Sequence, residues 1–189
     1  MLNEFRLKML NREASSPKNK AKKIIKHLNI QKGHVIGDIG SGGGFFTQEF
    51  SREVGSEGQV QAIDIHQNSL DFMGNNLQNE GIQNVQPILA KSEGIKLPEN
   101  SVDLFFLRNV FHHISNQVEY LQNLKSPLKQ DGRIAVIDYN KRKLSLTGLF
   151  GHYTSDISLL DRMNQAGFSL LEKHDFLPDQ LFMIFEKKP

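Results

Sequence analysis

The apolar residues of this chain follow two alternating periods. Short apolar runs typical of strands alternate with longer stretches whose apolar residues recur every three or four positions, as in helices. The strand-like runs are HVIGDI (34–39), GQVQAIDI (58–65), NVQPIL (84–89), SVDLFFLRNV (101–110), DGRIAVIDY (131–139), SLLEKHDF (169–176) and QLFMIFEKK (180–188). This alternation predicts βαβ units and a parallel sheet. The last two runs flank a short turn and predict an antiparallel hairpin.

Helical periodicity fills the intervals between these runs. The predicted helices cover residues 1–12, the region from 17 to 32, and residues 45–55, 69–81, 117–129 and 155–168. In the first helix the apolar stripe is Leu2, Phe5 and Met9, and the second is expected to begin at Pro17 with Ser16 as its N-cap. No linker divides the chain, so the prediction is a single domain over 1–189, with a helical arm (1–33) before an α/β core (34–189).

Charge is distributed unevenly. Residues 1–33 carry nine Lys and Arg against two Glu, whereas the rest carries fourteen Lys and Arg against nineteen Asp and Glu. A basic arm is typical of contact with nucleic acid, an anionic substrate or a membrane surface, or is simply a solvated helix face. Cysteine is absent, which excludes disulfides, thiolate metal sites and a thiol nucleophile. With no long apolar run and no signal-peptide pattern, we expect no membrane span and a cytoplasmic location.

The stretch DIGSGGG (38–44) lies between the first predicted strand and a helix. Glycines there allow a ligand to approach the backbone, and the helix N-terminus favours a nucleotide-like ligand. The dinucleotide fingerprint G-x-G-x-x-G is not met, because Phe45 or Thr47 occupies the position of its third glycine. The phosphate loop G-x-x-x-x-G-K-[ST] is absent as well.

Two acids narrow the choice of ligand. The carboxylate of Asp38, two residues before Gly40, would repel a pyrophosphate but suit an α-ammonium group. Asp64 ends the second strand, where an acid accepts hydrogen bonds from both ribose hydroxyls. S-adenosylmethionine has both groups. The alternatives are a helix-capping acid for Asp38 and a surface acid for Asp64. For Gly43 and Gly44 the alternative is helix packing alone.

Five motifs in order resemble the class I S-adenosylmethionine-dependent methyltransferases. They are DIGSGGG, AIDI, LPENSVDLFFLRNVFHHI, LKQDGRIAVIDY and the AGF before the final hairpin, and they extend from about residue 20 to 187. The nearest branch is the small methyltransferase type 11 or ubiquinone-biosynthesis-like group. The resemblance implies an α/β, Rossmann-like sheet of seven mostly parallel strands, with helices on both faces and a C-terminal antiparallel hairpin. It also implies S-adenosylmethionine as cofactor and S-adenosylhomocysteine as product.

The resemblance further implies which residues bind the cofactor. They are Asp38, Gly40, Ser41, Gly42, Asp64, Ile65, Lys91, Ser92, Arg108 and Asn109. Asp38 would hold the amino group, Asp64 the ribose, and Ile65 would pack on the adenine. Arg108 and Asn109 would lie near the methionine end, largely through backbone atoms, although a loop hydrogen bond is the alternative for Asn109.

Lys91 departs from the family pattern. Relatives usually have an acidic residue there, whose carboxylate contacts the adenine amino group. A Lys ammonium cannot accept that hydrogen bond. Either Ser92 and backbone atoms contact the adenine edge, or the pocket is unusual.

Catalytic residues are harder to find from sequence. Methyl transfer is an in-line displacement from an activated donor, so the protein mainly supplies proximity and orientation, and a base is needed only if the acceptor keeps a proton. His112 and His113 follow the fourth strand, and Asp138 ends the fifth. The candidate bases are His113 and His152, the latter in GLFGHYTSD (148–156). No spacing of His, Asp and Glu suggests a metal site.

Three functions remain open. The first is a small-molecule methyltransferase in which the basic arm, with Phe5 and Met9, forms a partial lid that suits an anionic acceptor. The second is an RNA or protein methyltransferase that docks through the arm, which is disfavoured because the arm lacks interleaved aromatic residues for stacking bases. The third is a non-catalytic S-adenosylmethionine-binding protein, supported only by Lys91. The sequence does not indicate an oligomeric state.

Overall fold

The computed structural model describes residues 3–90, 95–140 and 154–189. The chain forms two compact units, Met1–Glu93 and Gly94–Pro189. The prediction of a single domain over 1–189 stays a prediction. Within the described ranges, no helix combines the length and apolar character that crossing a bilayer requires.

The first unit alternates helices with three parallel strands. Its helices are α1 (Glu4–Ala14), α2 (Ala21–Leu28), α3 (Phe45–Val54) and α4 (Gln67–Asn79). Its strands are β1 (Val35–Ile39), β2 (Gln59–Asp64) and β3 (Val85–Leu89), with β2 in the centre. The register places Ile39 opposite Ile63, so the carboxyl ends of β1 and β2 lie side by side.

The core of this unit explains its strand and helix patterns. Both β1 and β2 are buried along almost their whole length, because α3 and α4 pack on the sheet. Phe46, Phe50 and Val54 recur every four residues along α3, and all three are buried. Pro87 lies in β3, an edge strand of the sheet, where a residue without a backbone N–H donor is tolerated.

The start of α2 differs from the sequence prediction. Residues Pro17–Asn19 form a short 3-10 helix, and Ser16 makes no side-chain capping bond to it. Lys20 then adopts a left-handed φ of 48°, which separates this turn from the α-helix that begins at Ala21. The predicted N-cap at Ser16 is therefore wrong for the α-helix, because the left-handed residue interrupts the helix before Ala21.

The buried face of α1 is also corrected. Phe5 and Met9, in the predicted apolar stripe, are 71% and 56% exposed. Leu7 and Ala14 are buried instead. Residues 1–12 contain apolar side chains on more than one side of the helix, so local spacing alone did not identify the side that packs.

The second unit contains four strands and two α-helices in its described part. The strands are β4 (Val102–Arg108), β5 (Leu128–Tyr139), β6 (Phe168–His174) and β7 (Gln180–Lys187), and the helices are α5 (Gln117–Asn123) and α6 (Asp156–Gln165). β4 and β5 are parallel, whereas β7 pairs antiparallel with both β5 and β6. The continuous apolar runs of β4 and β5 are buried, as in strands covered on both faces.

One boundary in this unit differs from the prediction. The helix expected over residues 117–129 ends at Asn123, and β5 already begins at Leu128. Pro127 explains the early end, because the residue before a proline is disfavoured in the helical conformation.

Across the chain, the strand order is β3-β2-β1-β4-β5-β7-β6 in one seven-stranded sheet. Its first five strands are the βα-alternating ones, and the last two form the C-terminal antiparallel hairpin. The predicted fold class is confirmed.

Candidate active site

The glycine loop, residues 40–44, connects β1 to α3. Gly40 donates its backbone N–H to the carbonyl oxygen of Ile63 at 2.8 Å, which holds the loop against the end of β2. Gly42 and Gly44 have φ angles of 54° and 87°, in the left-handed region that glycine adopts without a steric penalty. The loop therefore turns sharply at the carboxyl edge of the strands.

The carboxylate of Asp64 holds the same loop. Its Oδ2 accepts the backbone N–H of Gly42 at 2.9 Å, and its Oδ1 accepts the backbone N–H of His66 at 2.9 Å. Asp64 is buried, so the surface-acid alternative is wrong. Its place at the end of β2, beside a glycine loop, is where α/β folds bind a ribose.

The hydroxyl of Ser41 is buried within this loop. Over the described part of the chain, its Oγ has no hydrogen-bond partner. An unsatisfied buried hydroxyl costs about 1–3 kcal/mol, and native proteins rarely leave one. A polar ligand group above the loop would remove this cost, so the loop fits the amino-acid end of S-adenosylmethionine.

Asp38 lies at the end of β1 and is buried. Its Oδ2 accepts the hydroxyl of Thr47, in the first turn of α3, at 2.5 Å. Burial raises the pKa of Asp38 to about 7, the Thr47 hydrogen bond opposes the rise, and the charge of Asp64 adds to it. The N-cap of α3 is Gly44, and no side chain caps that helix, so the helix-capping alternative for Asp38 is wrong.

The helix α1 packs directly on the glycine loop. The Nδ2 of Asn11 donates to the carbonyl oxygen of Gly43 at 2.7 Å. A Cβ on Gly43 would lie 2.7 Å from the carbonyl oxygen of Leu7. The arm therefore covers the loop through Leu7 and Asn11. A lid over the cofactor formed with Phe5 and Met9 stays a prediction.

The two last glycines of the loop have packing roles. Gly43 admits α1, and a Cβ on Gly44 would lie 2.5 Å from Cγ of Met73 in α4. Helix packing thus explains these two glycines, which was the alternative that their sequence left open. Sequence reasoning missed Asn11 and Thr47, because neither belongs to the glycine motif and only the folded chain brings them to it.

In the second unit, Arg108 is the last residue of β4, and Asn109 follows it. Asn109 has a φ of 55° and donates its backbone N–H to Ile137 at 2.8 Å. Its side-chain oxygen accepts a hydrogen bond from Nε2 of Gln180. The loop hydrogen bond that was the alternative for Asn109 is present. Binding of the methionine end by Arg108 and Asn109 stays a prediction.

Asp138, at the end of β5, is fully buried and accepts several hydrogen bonds. Its donors are the backbone N–H of His112 at 3.0 Å, the backbone N–H of Tyr139 at 2.9 Å and the hydroxyl of Thr154 at 2.8 Å. The Nδ1 of His112 lies 2.7 Å from its Oδ1. His112 follows β4, and Asp138 lies near the end of β5, the parallel neighbour of β4.

Of the two candidate bases, the structure describes only His113. His113 is exposed, and its ring lies 4.0 Å from that of His112, centroid to centroid. His152 lies outside the described residues, as do the predicted adenine-binding residues Lys91 and Ser92.

Comparison with known proteins agrees with this geometry. A family model described as a methyltransferase domain matches residues 30–177. The chain is 28% identical over 156 residues to a ubiquinone/menaquinone biosynthesis C-methyltransferase of Pasteurella multocida, covering 82% of this chain and 58% of that enzyme. The chain therefore spans less than two thirds of the length of that relative.

Two solved structures share the fold. A SAM dependent methyltransferase from Aquifex aeolicus superposes with a TM-score of 0.85 at 23% identity, covering 98% of each chain. A geranyl diphosphate C-methyltransferase from Streptomyces coelicolor, solved with Mg²⁺, geranyl diphosphate and S-adenosyl-L-homocysteine, gives a TM-score of 0.75 at 13% identity, covering 90% of this chain and 80% of that one. With the family model matching most of its length, the chain belongs to the methyltransferase-domain family, and the predicted enzyme class and S-adenosylmethionine cofactor are confirmed.

Proposed function

We propose that this chain transfers a methyl group from S-adenosylmethionine to a carbon atom of a small aromatic hydroxyl compound of the hydroquinone type. The glycine loop supports the cofactor part of the proposal. Among the described residues, the buried hydroxyl of Ser41 has no hydrogen-bond partner, and it lies next to the hydrogen bond between Gly42 and Asp64. The similarity to a ubiquinone/menaquinone biosynthesis C-methyltransferase supports carbon as the acceptor atom.

Each loop residue has a proposed contact with the cofactor. The carboxylate of Asp64 accepts hydrogen bonds from the ribose hydroxyls, and Ser41 and the Gly40 and Gly42 backbone hold the methionine part. Asp38 faces the α-ammonium group, whose positive charge offsets the burial that raises the pKa of its carboxyl.

The adenine is bound at the edge of the loop. Ile65 follows Asp64 and is 70% exposed, so an apolar surface is available for the adenine ring beside the ribose acid. Ser92, and backbone atoms next to Lys91, take the adenine edge. Arg108 and Asn109 complete the proposed set near the methionine end.

When bound, S-adenosylmethionine supplies a methyl group attached to a sulfonium sulfur. The acceptor takes this methyl group by in-line displacement of the sulfur. The protein then contributes orientation and the exclusion of water more than chemical activation. The excess of basic residues in the arm would attract an anionic acceptor.

Transfer of labelled methyl groups tests this function. Purified protein is incubated with S-adenosylmethionine labelled in its methyl group and with reduced 1,4-naphthohydroquinone, and the product is analysed by mass spectrometry for a carbon-bound methyl group. We expect methylation by the wild type and strongly reduced methylation by Asp64→Ala when S-adenosylmethionine is limiting, with folding checked by circular dichroism. Label in RNA or protein from a cell extract, with activity that falls steeply with salt, would contradict the small-molecule acceptor. Cofactor binding without methylation of any acceptor would indicate a non-catalytic binding protein.

A further inference from the structure

The carboxylate of Asp64 accepts three hydrogen bonds from the described residues of its own unit. Its Oδ2 accepts the backbone N–H of Gly42 at 2.9 Å, and its Oδ1 accepts the backbone N–H of His66, also at 2.9 Å. The imidazole Nδ1 of His66 lies 3.2 Å from the same Oδ1. An ionised carboxylate only accepts hydrogen bonds, so this Nδ1 is the donor of the third bond.

These bonds limit what else the carboxylate can accept. A carboxylate has about four lone-pair sites, two on each oxygen. The Gly42 and His66 donors occupy both sites of Oδ1 and one site of Oδ2. The proposed ribose contact needs two sites, because both ribose hydroxyls donate to Asp64. The ribose can therefore make both contacts only if one of the three bonds breaks.

Two of the three donors are backbone groups that the fold holds in place. The loop that carries Gly42 is also attached to β2, because Gly40 donates its backbone N–H to the Ile63 carbonyl oxygen at 2.8 Å. The backbone of His66 starts α4, since its carbonyl oxygen accepts the N–H of Ser69 at 3.0 Å. Moving either group would disturb the loop or the helix.

The imidazole ring of His66 is the donor that can move without such a disturbance. His66 is the N-cap residue of α4, and its side chain makes no capping hydrogen bond to that helix. The side chain is 44% exposed, whereas that of Asp64 is 6% exposed. A change to another staggered rotamer takes the ring toward solvent and leaves the backbone bonds of α4 intact.

We propose that the His66 imidazole competes with the ribose of S-adenosylmethionine for Asp64 and turns outward to admit the second ribose hydroxyl. His66 thereby sets the affinity for the cofactor and its dependence on the ribose hydroxyls, and it is not a catalytic residue. The inference rests on the proposed function, because it concerns the ribose contact that is proposed for Asp64.

The sign of one mutational effect separates competition from simple orientation of the carboxylate. If the ring only orients Asp64 for the ribose, removing the ring weakens cofactor binding. If the ring competes, removing it strengthens binding, because the ribose no longer has to displace a hydrogen bond. One hydrogen bond of this kind corresponds to about 3- to 10-fold in affinity.

Titration calorimetry with S-adenosylhomocysteine measures this sign in two variants. His66→Ala removes the ring, and His66→Phe keeps a ring but has no donor. We expect both to bind about 3- to 10-fold more tightly than the wild type, with folding checked by circular dichroism. His34→Ala is the control, because His34 precedes β1 at the opposite end of that strand, and it should bind normally. Unchanged or weaker binding by His66→Ala would overturn the proposal, as would tighter binding by His66→Ala alone.

Analogues of S-adenosylhomocysteine that lack one ribose hydroxyl give a second readout. A ligand with one hydroxyl can use the remaining site of Asp64 while the His66 ring stays in place. We therefore expect at least one of the 2′-deoxy and 3′-deoxy analogues to bind His66→Ala and the wild type equally. A general effect of the substitution on the loop would change the affinities for all three ligands alike, and that result would contradict competition.

The two proposals fail in different ways. If the wild type methylates the hydroquinone and His66→Ala binds S-adenosylhomocysteine no more tightly, the function stands and the role of His66 is wrong. If neither the wild type nor the variants bind S-adenosylhomocysteine, the proposed cofactor site is wrong and the role of His66 is wrong with it. A crystal structure of the complex in which the ring still donates to Asp64 beside both ribose hydroxyls would also overturn the competition.

Discussion

Asn11 in α1 donates a hydrogen bond from its side chain to the carbonyl oxygen of Gly43, at 2.7 Å. This bond joins the N-terminal helix to the loop that we assign to the cofactor, across 32 positions of sequence. The arm is thus part of the wall of the site and not only a basic extension. Any change that loosens α1 is therefore expected to affect the loop.

Replacing Asn11 with Ala tests this connection. The lost hydrogen bond should lower the free energy of unfolding by about 1 kcal/mol and weaken binding of S-adenosylhomocysteine, because Gly43 loses the contact that holds the loop. Urea denaturation and titration calorimetry measure the two effects. Phe5→Ala, on the exposed side of the same helix, should change stability by less than about 0.5 kcal/mol. Equal effects of the two changes would show that the Asn11 bond does not hold the loop.

Glycine-to-alanine changes at two positions compare a glycine that is in close contact with another element with one that is not. Gly43→Ala places a Cβ 2.7 Å from the Leu7 carbonyl oxygen, so α1 or the loop must shift. We expect a loss of about 1–3 kcal/mol of stability. Gly74 lies inside α4, and a Cβ there meets no atom of the described residues within 4 Å. Gly74→Ala should therefore stabilise the protein by about 0.5–1 kcal/mol. Chemical denaturation measures the free energy of unfolding of both variants. A Gly43→Ala variant more stable than the wild type would contradict the packing of α1 on the loop.

Asp64 should control cofactor affinity. Because its carboxylate is buried at the loop and is proposed to bind the ribose, Asp64→Ala should weaken S-adenosylhomocysteine binding by about 10- to 100-fold, the value of one charged hydrogen bond. Calorimetry measures the affinity, and circular dichroism verifies the fold. Asp71→Asn, an exposed acid in α4, is the control and should bind normally. Unchanged binding by Asp64→Ala would remove the ribose assignment.

The pKa of Asp38 predicts a pH dependence. Burial raises this pKa from 3.8 to about 7, so the folded state holds the proton more tightly than the unfolded state does. The stability of the cofactor-free protein should therefore decrease as pH rises between these two values, by several kcal/mol in total. Asp38→Asn removes this contribution, which urea denaturation at a series of pH values would reveal.

The affinity for the cofactor should depend on pH in the opposite direction to the stability of the cofactor-free protein. The proposed ammonium partner favours the ionised carboxyl of Asp38, so affinity for S-adenosylhomocysteine should rise as pH increases toward and above 7. Thr47→Val removes the hydroxyl that stabilises the charged form, and it should move the rise to higher pH. An affinity that does not change with pH in the wild type would contradict the contact between Asp38 and the amino group.

The order of the elements and the loop itself could be predicted from local patterns. Buried parallel strands require continuous apolar runs, and a sharp turn next to a ligand requires glycines, so both leave a signal within a few residues. The acids Asp38 and Asp64 were found for the same reason, since each lies at the carboxyl end of an apolar strand. The predicted helix boundaries were less accurate where a single residue ends or interrupts the helix. Lys20 does so before α2 and Pro127 does so after α5.

By itself, the sequence determined the α/β alternation, the glycine loop, and the two acids that indicate a ribose and an amino group. Only the tertiary structure decided which face of α1 packs, that Asn11 covers Gly43, and that His112 rather than His113 is held by Asp138. The physical reason is that these contacts join residues far apart in sequence, and their energies depend on burial and on hydrogen-bond geometry that no local pattern encodes.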